Sequence, residues 1–186
     1  LLEAAMEHEL PFDTLLFDSW YLSPDLVKAA ERYDKDWISL LKKNRNLETH
    51  SFVLKDAEGK PIPLEGPHIA VNKLVPLIPA NAYRKVTVED KNYWTFTRTV
   101  RIPTLGKVRI VISFKKEDLT GTYIVLVTNR VDWTAQRIIS TYLLRWPIET
   151  FYQDGKEHLG LDEYRMRNAE ALGKHWCLLF VAYSLL

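Results

Sequence analysis

Residues 142–156 read YLLRWPIETFYQDGK. Tyr142, Arg145, Glu149 and Lys156 are spaced by three, four and seven. At about 100° per residue on a helix, the four fall within an arc of roughly 60°. Trp146 and Gln153 lie beside the same stripe. Leu144, Ile148, Phe151, Tyr152 and Leu159 fall on a different face, which the pattern assigns to the core. Pro147 is expected to kink or break the helix just before Glu149. One face thus gathers an acid and two bases with aromatic neighbours, while another supplies packing.

Upstream of this stretch, helical periodicity begins at Asp132, and TYIVLVTN (122–129) reads as a strand. From about 51 to 128 the dominant pattern is period two, with turn residues between the runs. Trp94, Phe96, Arg98 and Val100 alternate with Thr95, Thr97, Thr99 and Arg101. After IPTLG, Val108, Ile110, Ile112 and Phe114 alternate with Lys107, Arg109, Ser113 and Lys115. This predicts a hairpin with a basic outer face. Residues 84–116 hold nine Lys or Arg against two acids, Glu89 and Asp90. A solubilising edge and a phosphate-binding face both fit that excess.

The N-terminal third has a different rhythm. Residues 1–9 read as the end of a helix, and TLLFDSW (14–20) as a strand ending in an acid. SPDLVKAAER (23–32) reads as a helix with Ser23 as N-cap and Pro24 in its first turn. DWISLLKKN (36–44) is a second buried strand. Strand, helix, strand is the signature of an α/β sheet. A last helix is expected from about Asn168 onward.

Composition sets the bounds. The chain has 186 residues, 47% of them hydrophobic, and 7 glycines. That suits one globular unit, or one domain carrying a large insertion. Leu1 and the unfinished pattern LLFVAYSLL suggest a fragment. No signal peptide is evident. The apolar run from Trp176 to Leu186 falls short of the roughly 20 residues a bilayer span needs. Cys177 lies in that run and is expected to be a buried free thiol in a reducing compartment. A net charge of +1 neither proposes nor excludes a nucleic-acid partner.

Asp18, closing a strand, and Glu149, on a helix, are the acids that stand out. Carboxylates converging at a sheet's C-terminal edge can hold Mg²⁺, which prefers oxygen ligands. Each also has a plain structural reading. Glu149 suits the first turn of a helix, where the dipole favours an acid. Asp18 suits a loop cap.

The combination is more specific than its parts. The spacing Y-x2-R-x3-E-x6-K resembles the signature of bacterial insertion-sequence DDE transposases of the IS-four type. TN at 128–129, RWPIE and the following FY match its context. LLFDSWYLSPDLVKAA resembles the second-Asp strand and its helix, WISLLKKNRNL the strand after it, and DEYRMRNAEALGKHW the segment after the signature. The resemblance covers most of 14–186 and thins between 51 and 120. It implies a ribonuclease-H-like α/β core, incomplete because its first strands are missing, interrupted by a β-rich insertion. The expected segments are core at 1–50, insertion at 51–128, and core helices at 129–186.

The resemblance also implies roles. Asp18 and Glu149 become catalytic metal ligands for two Mg²⁺ (or Mn²⁺) ions, in a site completed by a further Asp that this chain lacks. Tyr142, Arg145 and Lys156 become DNA contacts near the cut transposon end. Charge adds Arg101 and Arg109 of the hairpin as backbone contacts. The implied reaction is hydrolysis of a phosphodiester at the element's end, followed by attack of the freed 3′-hydroxyl on target DNA. The implied setting is a DNA-bound homodimer in the bacterial cytoplasm, with the fragment alone inactive. A non-transposing nuclease of the same fold and a catalytically dead DNA-binding remnant remain alternatives.

Overall fold

The computed structural model describes residues 2–163 and 168–185. The part of the resemblance at 164–167 lies outside the described residues. The chain divides into two compact units, Leu1–Tyr142 and Leu143–Leu186.

The larger unit begins with helix α1 (Leu2–Glu7), strand β1 (Thr14–Phe17), helix α2 (Pro24–Arg32) and strand β2 (Asp36–Leu40). Local chemistry fixes both ends of α2. The Ser23 hydroxyl accepts from Leu26 N at 3.2 Å, and Pro24 supplies a helical φ in the first turn. Past the other end, Asp34 adopts φ 54° and turns the chain back toward β2. β1 and β2 run parallel, in the register Leu15 with Trp37 and Phe17 with Ser39. Both strands are shorter than their sequence patterns suggested. β2 ends at Leu40; Leu41 N still donates to Val125 O at 2.7 Å, and the chain then turns over 42–45, with Arg45 N bonded to Lys42 O.

A connector follows, holding β3 (Asn46–Glu48), β4 (His68–Ala70) and the short helix α3 (Val71–Leu74). β3 and β4 pair with each other, and Leu47, Leu54, Val71 and Leu74 plug the connector into the main core. Then come β5 (Arg84–Val88), β6 (Lys91–Ile102), β7 (Gly106–Phe114) and β8 (Tyr123–Thr128), an antiparallel meander. β8 pairs antiparallel with β2, Ile38 opposite Thr128. The result is one six-stranded sheet in the order β1-β2-β8-β7-β6-β5, within a mixed α/β architecture. β1 is its edge strand and, among the described residues, pairs with β2 alone. The period-two segments therefore continue the sheet begun by the βαβ unit.

One face of the sheet carries Trp37, Phe96, Val100, Val108, Ile110, Ile112, Val125 and Val127, packed with Val27 and Ala30 of α2. At about 25 cal/mol per Å² of apolar surface removed from water, this core is the main stabilising term. The other face is also covered. Ile38, Val111 and Leu126 alternate with the first set and are buried. So are Trp133 and, on helix α4 (Ala135–Leu143), Ile138, Ile139 and Tyr142. A guanidinium hub closes the end of the sheet where β2 begins. Arg130 donates to both carboxylate oxygens of Asp132 and to Asp36, each at 2.9 Å, and lies over Trp133. This contact holds the Asp132 carboxyl down at about 2 and raises the Arg130 pKa above its already high ordinary value.

The smaller unit pairs helix α5 (Trp146–His158) with helix α6 (Ala169–Ser184). Asn168 caps α6, its side chain accepting from Glu170 N at 2.9 Å. Phe151, Leu161 and Leu179 form the buried centre, with Phe151 stacked on Phe180 at 4.9 Å. Gly155 permits the approach, since a Cβ there would stand 3.3 Å from Leu161 Cδ2. Two sequence expectations fail here. Of the apolar residues assigned to the core of 142–156, Phe151 alone is buried, whereas Leu144, Ile148 and Tyr152 are exposed. Cys177 is exposed as well, because α6 turns Leu179 rather than its neighbours inward. Among the described residues no helix is long and apolar enough to cross a membrane.

Candidate active site

Asp18 follows the last residue of β1. Because β1 and β2 are parallel, the Asp18 turn and the Lys42–Arg45 turn leave the sheet at the same edge. The Asp18 Oδ1 accepts from Ser19 Oγ at 3.1 Å and from Trp20 N at 3.0 Å, and its carbonyl accepts from Tyr21 N. Both readings of Asp18 are thus visible in one residue. One carboxylate oxygen builds the turn, and Oδ2 has no hydrogen-bond partner among the described residues.

Glu149 lies in the first turn of α5, two residues past Pro147. Its Oε1 accepts from the Arg145 guanidinium at 2.7 Å. Lys156, seven residues on, projects from the same side of α5 and is exposed. Among the described residues it forms no ion pair.

The expected four-residue stripe is not continuous. α4 ends at Leu143 and α5 begins at Trp146, so Tyr142 belongs to a different helix from Glu149 and Lys156. Tyr142 is only 8% exposed. The proline does break the helical run, but by starting α5 in its first turn, where its missing N–H costs nothing.

The basic outer face of the β6–β7 hairpin also needs correction. Thr99 pairs with Arg109 and Arg101 with Lys107, so these four share a face. Yet Val111 and Ser113 on that face are buried. Arg109 is half-buried and donates to the Val131 carbonyl at 2.7 Å. Arg101 is exposed, with Nε 3.5 Å from Glu48. The middle of this face is covered, and its exposed cations stand at the ends, Arg101 and Lys107 at the turn and Lys91 and Lys115 at the other. Sequence reasoning passed over the Lys42–Arg45 loop, although three cations within KKNR were a visible signal.

A family model described as a transposase DDE domain matches residues 1–185. The chain belongs to that family, whose members are enzymes acting on DNA. No curated protein matches the chain.

Divalent metal ions are general in this family. The donor chemistry present fits a hard cation, since Asp18 and Glu149 each keep one carboxylate oxygen without a hydrogen-bond partner among the described residues. Among the described residues, no three His, Cys, Asp or Glu side chains converge on one point.

Proposed function

We propose that the chain is the catalytic part of a bacterial insertion-sequence transposase with the Y-x2-R-x3-E-x6-K signature. In this reading the strands of 1–50 and the helices of 129–186 form a ribonuclease-H-like core. Residues 51–128 are an insertion that prolongs its sheet. The observation that carries the reading is the family match along nearly the whole chain, with Asp18 at a strand end and Glu149 in a helix's first turn.

Asp18 and Glu149 would hold Mg²⁺ or Mn²⁺, which supplies charge neutralisation at the phosphodiester under attack. No third carboxylate is assigned. Arg145 would orient Glu149 through its 2.7 Å contact and offer a donor to a DNA phosphate. Lys156 offers a point charge on the same helix face. Arg101 adds a backbone contact at the hairpin turn. Tyr142 is buried and Arg109 is bonded to the Val131 carbonyl, so neither is proposed as a direct contact. The enzyme would act as a DNA-bound homodimer in the cytoplasm.

The test uses the full-length protein and supercoiled plasmid DNA with Mg²⁺. Asp18→Asn and Glu149→Gln should each reduce strand cleavage by a hundredfold or more, on the order of 3 kcal/mol in the barrier. Both should retain duplex binding. Cleavage at the wild-type rate in either variant overturns the assignment. Cleavage without strand joining would favour a non-transposing nuclease, and binding without cleavage in the wild type a DNA-binding remnant.

A further inference from the structure

Trp20 is 80% exposed and Tyr21 64% exposed, an unusual placement for large aromatic rings on a well-packed unit. Trp20 does not hang from a loose loop. Its backbone N–H is bonded to Asp18 Oδ1 at 3.0 Å, and the next residue's N–H to the Asp18 carbonyl at 3.0 Å. The turn that presents the ring is therefore built by Asp18 itself.

Facing it is the turn after β2. Lys42 Nζ lies 5.7 Å from the centre of the Trp20 ring. Lys42 also lines an open cavity of about 460 Å³ together with Asn44, Arg45 and the 102–104 hairpin turn. The backbone of this loop is pinned, since the carbonyls of Lys43 and Arg45 accept from Asn72 N and Val71 N at 2.8 and 3.1 Å. Of the side chains, Lys42 and Lys43 lie over aromatic rings, Trp20 at 5.7 Å and Tyr123 at 4.0 Å. Among the described residues no acid pairs with Lys42, Lys43 or Arg45. Rigid backbones thus offer an open aromatic face, uncompensated cations and amide groups within one patch.

We propose that this patch is a stacking site for a nucleotide whose base is unpaired, in a DNA strand running past Asp18. The base lies on the Trp20 ring, and the adjoining phosphates take Lys42 and Arg45. An indole face accepts any base, and cations that no acid neutralises among the described residues suit phosphate. A fully paired duplex keeps its base faces inside the stack and cannot use Trp20 in this way. The inference rests on the DNA-processing reading above and adds a preference within it.

The test measures binding of the full chain, by fluorescence anisotropy, to a labelled oligothymidylate and to a blunt duplex of the same length. Trp20→Ala should weaken oligothymidylate binding by roughly five- to a hundredfold and leave duplex binding within about twofold. Trp20→Leu, which keeps apolar bulk without a π face, should behave like alanine, and Trp20→Phe should restore most of the affinity. Lys42→Ala should weaken both probes and lower the salt slope by about 0.7 to 0.9. Unchanged oligothymidylate binding in Trp20→Ala, or an equal loss on both probes, overturns the stacking site. With duplex binding by the wild type intact, that result leaves the transposase reading standing. A wild-type chain that binds neither probe defeats both.

Discussion

Arg109 and Arg101 differ by eight positions and share one face of a hairpin, yet they have different jobs. Arg109 satisfies the Val131 carbonyl from a half-buried position, whereas Arg101 is exposed beside Glu48. Arg109→Ala should cost about 1–3 kcal/mol, the range for a hydrogen bond from a charged donor, read from urea unfolding. Arg101→Ala should leave the unfolding midpoint in place and reduce the salt slope of duplex binding by about 0.9. Equal stability losses in the two would return both to packing. Period-two alternation could not separate them, because it says which face a residue occupies but not what covers that face. Tyr142 fell to the same blindness. The spacing from 142 to 156 was legible, but Tyr142 falls at the end of one helix and Glu149 in the first turn of the next. Tyr83 adds a pH prediction. Burial, with Tyr123 adding to it, lifts the Tyr83 phenol from its ordinary 10 to about 12. The folded state holds this proton more tightly than the unfolded chain. Stability is therefore complete below pH 10 and declines as pH rises through 12. Tyr83→Phe, which keeps the edge-on contact with Phe114, should flatten that decline in thermal melts.

Among the elements, the most legible were those with chemical punctuation. Ser23-Pro24 fixed the start of α2, Asn168 the start of α6, and IPTLG the reversal between β6 and β7. The reversal between β5 and β6 carried no such mark. Glu89 and Asp90 form it with φ 48° and 60°, flanked by the Val88–Lys91 pair. Two positive φ values in a two-residue hairpin loop favour Asn-Gly; Asp90 tolerates the left-handed region better than Glu89, and neither does so as freely as glycine. Asp90→Gly should raise stability by about 0.5–1 kcal/mol, seen as a higher urea midpoint with an unchanged slope. A lower midpoint would mean that the Asp90 side chain supports the turn in a way its geometry does not reveal. The α5 region was misread for a related reason. Its apolar spacing suggests one helical face across 142–156 with a kink or break at Pro147, but the turn at 144–145 resets the phase before the proline. Residues assigned to the inside, Ile148 and Tyr152, then face out.

On the scale of the whole molecule, the βαβ start and the antiparallel meander were both readable from their periods. Their fusion into one sheet was not, since no local pattern announces that β2 takes β8 as its neighbour. That pairing joins Leu40 to Leu126 and Ile38 to Thr128, with the whole of the connector and three strands between them in the chain. Its consequence lies in time rather than in space. β5 to β8 can zip from adjacent turns, each closing a short loop, while β2 must wait until a long loop has been closed before any contact rewards it. The meander should therefore acquire protected amides first during refolding. The Trp37 amide, held by Asn129 Oδ1 across the late junction, should become protected together with β1 in a slower step. Pulse-labelling hydrogen exchange would read that order directly, and simultaneous protection of β2 and β6 would refute it. Until the slow step is complete, β8 presents an unpaired hydrophobic edge to the solvent. The hazard during synthesis is then that two nascent chains pair through β8 before either has folded its own β2 into place.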